Sequence, residues 1–125
     1  MSIFPKKIEK KFTAHLKNVL KESEQTAYEC FHTEVAIEHL IFGILTQEGS
    51  IGSNILGREK MDLQELKARI HKLPQDPVRG KLKFADNLKS IFQDMTLCAS
   101  RYNHSYIGTE HLLCAILESN DPKAQ

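Results

Sequence analysis

Residues 12–50 and 84–122 align without a gap at an offset of 72 residues and are identical at ten of 39 positions. The shared residues are Phe12/Phe84, Leu16/Leu88, Lys17/Lys89, Ala27/Ala99, His32/His104, Glu38/Glu110, His39/His111, Leu40/Leu112, Ile44/Ile116 and Leu45/Leu117. Val19/Ile91, Val35/Ile107 and Ile41/Leu113 are conservative exchanges. An internal repeat requires each copy to bury its apolar face against a neighbour, and predicts that a surface site recurs in pseudo-symmetric places. It also filters single residues by asking whether both copies carry them.

A chain of 125 residues holds one domain with a shared core. With 41% hydrophobic and 26% charged residues it has the balance of a globular protein and not of a disordered segment. Seventeen basic and 16 acidic residues give a net charge of +1, so no strong field invites nucleic acid or an anionic membrane. No apolar run approaches the roughly 20 residues needed to cross a bilayer. The opening MSIFPKKIEKK lacks the apolar core and cleavage site of a secretory signal, so a cytoplasmic location is expected. Cys30, Cys98 and Cys114 include no C-x-x-C pair, and their counterparts are Tyr102, Thr26 and Phe42. Neither a disulfide framework nor a zinc knuckle is suggested, and reduced core thiols are expected.

The apolar spacing of Phe12, Leu16, Val19, Leu20, Ala27 and Phe31 predicts a long amphipathic helix. The second copy repeats it with Phe84, Leu88, Ile91, Phe92, Met95, Ala99 and Tyr102. A break at His32-Thr33 or Asn103-His104-Ser105 precedes a second, more uniformly apolar helix, over about 38–47 and 110–119. Ser50 or Ser53 opens a third helix ending near Gly57, and Asp62 caps a fourth with Leu63, Leu66, Ile70 and Leu73 inward. No segment reads as a strand, and the fold class is all-α, two pseudo-symmetric repeats packed through their long first helices. Repeat one spans about 10–73, a Pro- and Gly-containing linker 74–80, and repeat two about 81–125, which stops at Gln125 where its third helix would begin and so reads as truncated.

Two helix-turn-helix copies with Gly108-Thr109-Glu110-His111-Leu112-Leu113 opening a second helix resemble the Clp N-terminal domain, or Clp repeat, of AAA+ unfoldases. Phe12-Thr13, the string from His104 to Leu113 and the turn Glu48-Gly49-Ser50 are most similar to the ClpC type. The resemblance covers residues 10–122. It implies a binding domain without catalytic residues, cofactor or metal, which docks protein substrates and adaptor proteins for an AAA+ ring and Clp peptidase reached through the parent chain. For ClpC-like members it further implies recognition of phosphorylated arginine through the Glu of each T-E-H motif. Those positions are Glu110, with Thr109 before it, and Glu38. The first copy departs by reading Val35-Ala36-Ile37-Glu38-His39; Ile37 lacks the hydroxyl with which Thr109 is expected to cap its helix.

Each motif also has a plain structural meaning. A Glu in the first turn of a helix is favoured by the macrodipole alone. The same open amides suit a phosphate and the carboxylate a guanidinium, the two halves of a phosphoguanidine. His-x6-His occurs twice, at His32/His39 and His104/His111, but without the i, i+4 spacing of a zinc helix, so packing or backbone hydrogen bonding is expected there. His15 and His71 are unmatched and expected in solvent. Residues 52–57 imitate a phosphate-loop glycine spacing, but Arg58-Glu59 replaces the required Lys-Ser/Thr. Lys6, Lys7, Lys10 and Lys11 read as a solvated cluster. Two alternative functions are a free-standing Clp-repeat adaptor of a Clp protease and a small hydrolase using the Glu/His pairs. The latter lacks a nucleophile recurring beside them.

Overall fold

The computed structural model describes residues 4–58, 62–76 and 82–119. A short helix, α1 (Lys6–Glu9), absorbs part of the lysine cluster, and all four of its lysines remain exposed. Thr13 then caps the long α2 (Ala14–Glu29), its hydroxyl accepting from the Leu16 amide at 3.1 Å. The central helix α3 (Ile37–Thr46) is followed by α4 (Ile51–Arg58) and α5 (Leu63–His71). Ser50 Oγ accepts from the Ser53 amide at the start of α4, and Asp62 Oδ1 from the Gln64 and Glu65 amides at the start of α5, as the sequence predicts. The second copy supplies α6 (Leu88–Arg101) and α7 (Thr109–Glu118).

Both long helices end in the same way. Phe31 and Asn103, 72 residues apart, adopt left-handed backbone at φ 58° and 57°. His32 N–H then donates to the Ala27 carbonyl and His104 N–H to that of Ala99, at 2.9 and 3.0 Å. Each is a Schellman stop, which satisfies carbonyls the helix leaves open and turns the chain toward the next helix.

The repeats do not meet mainly through their long first helices. α2 packs on α3 and α6 on α7 within each copy, while α7 touches α2, α3 and α4 of the other copy. The most uniformly apolar helices take the centre, with Leu40, Ile44 and Leu112 fully buried and Ile116 nearly so. Burying such a helix on all sides gains more than burying the single stripe of α2 or α6.

The expectation of no strand is corrected. β1 (Glu34–Val35) pairs in parallel with β2 (Lys83–Phe84), Val35 opposite Phe84. The pseudo-symmetric positions pair too, as a bridge between Phe12 and Ile107. Ala85 N–H donates to the Val35 carbonyl at 2.8 Å, and Thr13 N–H to that of Ile107 at 2.9 Å. The segment entering each long helix therefore hydrogen-bonds to the loop entering the other copy's central helix. These pairs are too short to leave a period-two signature in the sequence.

Of the linker expected over 74–80, residues 74–76 fold back on the first copy. Gln75 bridges His32, and Asp76 N–H donates to the Phe31 carbonyl at 2.8 Å. Residues 77–80, and the chain after Ser119 on which the reading of a truncated repeat rests, lie outside the described residues. Among the described residues no helix is long and apolar enough to cross a membrane.

Candidate ligand-binding site

The N-termini of α3 and α7 are built by one device used twice. His39 and His111 are the third residues of their helices, and each turns its ring back so that Nδ1 accepts from the N-cap amide, that of Ala36 or Gly108, at 2.9 Å. With Nδ1 an acceptor, the proton of the neutral ring lies on Nε2. Nε2–H therefore donates to Nδ1 of His32 at 2.8 Å in the first copy, and to that of His104 at 2.7 Å in the second. The two His-x6-His pairs thus meet across the turn as hydrogen-bonded pairs that fix the helix start, in accord with the backbone role read from the sequence.

The copies diverge at the outer ring of each pair. The tautomer chain leaves a proton on His32 Nε2, which is buried without a partner among the described residues. His104 is exposed, so its Nε2–H meets water. Burial, with His32 as a second cause, holds His39 down to about 4. His111 is also lowered, first by burial and then by His104, against an opposing pull from Glu110.

Thr109 does not cap its own helix. The N-cap is Gly108, and Thr109 is the first helical residue, buried at the foot of α4, where its Oγ1 accepts from the Gly52 amide at 2.9 Å. Gly52 packs there because a Cβ on it would lie 2.9 Å from both Ile44 Cγ2 and Thr109 Cβ. The glycine spacing of residues 52–57 therefore belongs to a helix wedged between α3 and α7 and forms no phosphate loop.

Glu110 is half-buried at the edge of this helix start. Its Oε2 accepts from the Tyr106 hydroxyl at 3.1 Å, and its Oε1 lies where a Cβ on residue 108 would be. The carboxylate is thus folded back over the N-cap, a placement that glycine permits. The Thr109 and Glu110 amides have no hydrogen-bond partner among the described residues. In the first copy the N-cap is Ala36, whose Cβ occupies the matching space, and the counterpart of Tyr106 is Glu34. Glu38, also half-buried, cannot sit over its N-cap as Glu110 does and follows a second acid, Glu34 of β1, by four residues.

Sequence reading missed the aromatic surface beside Glu110. Tyr102, His104 and Tyr106 stack in a row, with centroids 6.0 and 4.9 Å apart and the second pair nearly parallel at 12°. Burial, and then the Glu110 carboxylate, raise the Tyr106 phenol above its usual value. The alternation Tyr102-x-His104-x-Tyr106 is visible in the chain, but Tyr102 caps α6 and the other two rings follow the left-handed Asn103, so the stack depends on that turn.

Residues 11–125 match the family of the Clp repeat (R) N-terminal domain. A probable ATP-dependent Clp protease ATP-binding subunit of Chlamydia pneumoniae is 30% identical over 118 residues, which are 91% of this chain and 14% of that protein. An uncharacterized protein of Mycobacterium tuberculosis is 27% identical over 114 residues, 90% of this chain and 45% of that protein. The chain therefore spans less than half the length of either relative. Among solved structures, a ClpV N-domain in complex with a VipB peptide superposes with a TM-score of 0.75 at 20% identity, covering 94% of this chain and 75% of that one. The repeat, the paired helix starts and a match over nearly the whole length lead to one assignment: the chain belongs to the Clp repeat N-terminal domain family.

Proposed function

We propose that this domain binds protein substrates and adaptors for a ClpC-like ATP-driven unfoldase and performs no chemistry of its own. In this reading it recognises phosphorylated arginine at Glu110, and more weakly at Glu38. The observation that carries the ligand is the start of α7, where two open amides, a carboxylate and a tyrosine ring adjoin. Open amides at a helix N-terminus suit the phosphoryl group. The Glu110 carboxylate suits the guanidinium, and the exposed faces of Tyr106 and Tyr102 suit its plane. Thr109 takes part through its amide, since its hydroxyl is committed to Gly52. In this proposal the AAA+ ring and the Clp peptidase are partners reached through the parent chain, in a cytoplasmic assembly. The 45% coverage of the mycobacterial relative favours a second reading, a regulator that carries Clp repeats without the ring.

Calorimetric titration with phosphoarginine, with free arginine as control, tests the ligand. Saturable binding that requires the phosphate, falls strongly in Glu110→Ala and only slightly in Glu38→Ala, supports the site. Absence of binding by the folded protein removes phosphoarginine and leaves adaptor docking as the function.

A further inference from the structure

At the end of α7 opposite Glu110, the packing of α6 on α7 assembles a set of soft and hard donors that the helix starts do not use. Cys98, fully buried on α6, and Cys114, half-buried on α7, place their sulfurs 3.0 Å apart. Glu118 follows Cys114 by one turn on the same face of α7. Its carboxylate oxygens lie 3.8 Å from Cys98 Sγ and 3.7 Å from Cys114 Sγ. One ligand atom from each of the three residues falls within 4.8 Å of the others.

The repeat shows that the scaffold does not require these donors. Their counterparts in the first copy are Thr26, Phe42 and Thr46, and the same helix pair packs there without a thiol or carboxylate. A cation already answers the cluster, since Arg101 Nη2 lies 3.0 Å from both Glu118 oxygens and 3.1 Å from Cys98 Sγ. Its side chain is 56% exposed and can swing into solvent at little cost.

We propose that Cys98, Cys114 and Glu118 form a binding site for a thiophilic divalent cation of the zinc type, with Arg101 as the counter-ion that the metal displaces. Two thiolates and a carboxylate are a donor set such a cation accepts, and three protein ligands leave a fourth position for water or a partner's ligand. Tetrahedral bonds of about 2.3 Å to sulfur and 2.1 Å to oxygen place sulfur and oxygen about 3.6 Å apart and the two sulfurs about 3.8 Å apart. Each sulfur has one Glu118 oxygen near that spacing, Oε2 for Cys98 and Oε1 for Cys114, so the carboxylate must turn to present one oxygen to the metal while the sulfurs part by under ~1 Å. Cys114 supplies that movement, since it is not fully enclosed. Each metal taken up releases two protons, one from each thiol, to the buffer.

The test uses the reduced chain carrying Cys30→Ser, so that only the two site thiols remain. Cobalt(II) titration should give thiolate-to-metal charge-transfer absorption and tetrahedral visible bands saturating at one equivalent, and zinc(II) should displace the cobalt. Cys114→Ser should abolish the charge-transfer band and lower affinity at least about 100-fold, and Glu118→Gln should weaken binding about tenfold or more. Arg101→Gln should tighten it several-fold by removing the competing cation. Zinc should raise Tm of the parent protein and not of Cys114→Ser, a variant at a partly exposed position that keeps the test independent of core damage. No charge-transfer band, or a band that survives Cys114→Ser, overturns the site. So does a protein that closes a Cys98–Cys114 disulfide under a mild disulfide oxidant yet takes up no metal when reduced.

Discussion

The buried amide of Gly52 donates to the hydroxyl of Thr109 at 2.9 Å, joining residues 57 positions apart. Gly52 lies in the first turn of α4, where amides lack intrahelical acceptors. The first helical residue of the second copy thus caps a helix of the first. Thr109→Val keeps the shape and removes the acceptor, and should cost about 1–2 kcal/mol in chemical denaturation. Thr109→Ser should recover much of that loss.

Gly52→Ala tests the same junction by volume. The added methyl would press on Ile44 and Thr109, both in the core, so about 1–3 kcal/mol should be lost. A loss within error of zero would mean that α4 can draw back from α7.

His39 gives the fold a pH dependence whose sign can be worked out. Its pKa falls from an ordinary 6.5 to about 4 on folding, because burial and His32 disfavour the imidazolium. The unfolded chain therefore binds more protons between pH 6.5 and 4, and stability declines as pH is lowered through that window. The shift corresponds to a loss on the order of 3 kcal/mol by pH 4. Denaturation midpoints of the parent protein should fall over this range. His39→Asn should be less stable at pH 7 and lose less between pH 7 and 4.

Gly108→Ala separates the two helix starts. A methyl there enters the space of the Glu110 carboxylate and forces it off the N-cap, as Ala36 does to Glu38. If the proposed ligand is the right one, phosphoarginine binding at the second helix start should weaken to the level of the first, with Tm changed by only a few degrees. Equal binding by the parent and Gly108→Ala would show that the folded-back carboxylate is not the recognising geometry.

Cys114 should be a slow nucleophile in the metal-free protein. Burial, followed by Cys98 and Glu118, pushes its thiol up to about 12. The reactive thiolate is therefore scarce at neutral pH. Iodoacetamide labelling followed by peptide mass analysis should show its alkylation rate still rising with pH well above 9.

Much of this architecture was legible because the repeat doubled the apolar pattern of each helix pair. The carboxylate of Asp62 and the apolar runs of α3 and α7 mark a helix start and the core by local chemistry alone. The role of Thr109 was misread because its acceptor serves an amide of another helix, a relationship no local pattern encodes. Phe31 gave no sign of a left-handed stop, since an aromatic residue is a poor occupant of that region; its counterpart Asn103 is a common one. Cys98 and Cys114 meet only when α6 packs on α7, so counting cysteines could not pair them. The Tyr106 hydroxyl reaches Glu110 across the entry to α7, whereas the Glu alone could be read from the motif.

The reciprocal bridges, Val35 with Phe84 and Ile107 with Phe12, make this molecule a two-fold dimer written on one chain. Each copy offers an entry segment and a receiving loop, and each loop receives the segment of the other copy. A single copy expressed alone would have the edges to pair with another, exchanging the same two contacts between separate molecules. Covalent fusion replaces that encounter with a permanently high local concentration, so the association of the halves cannot be diluted away. It also frees the halves from being identical. One can then keep a Gly-Thr-Glu helix start while the other drifts to Ala-Ile-Glu, a divergence that a symmetric homodimer would have to impose on both sites at once.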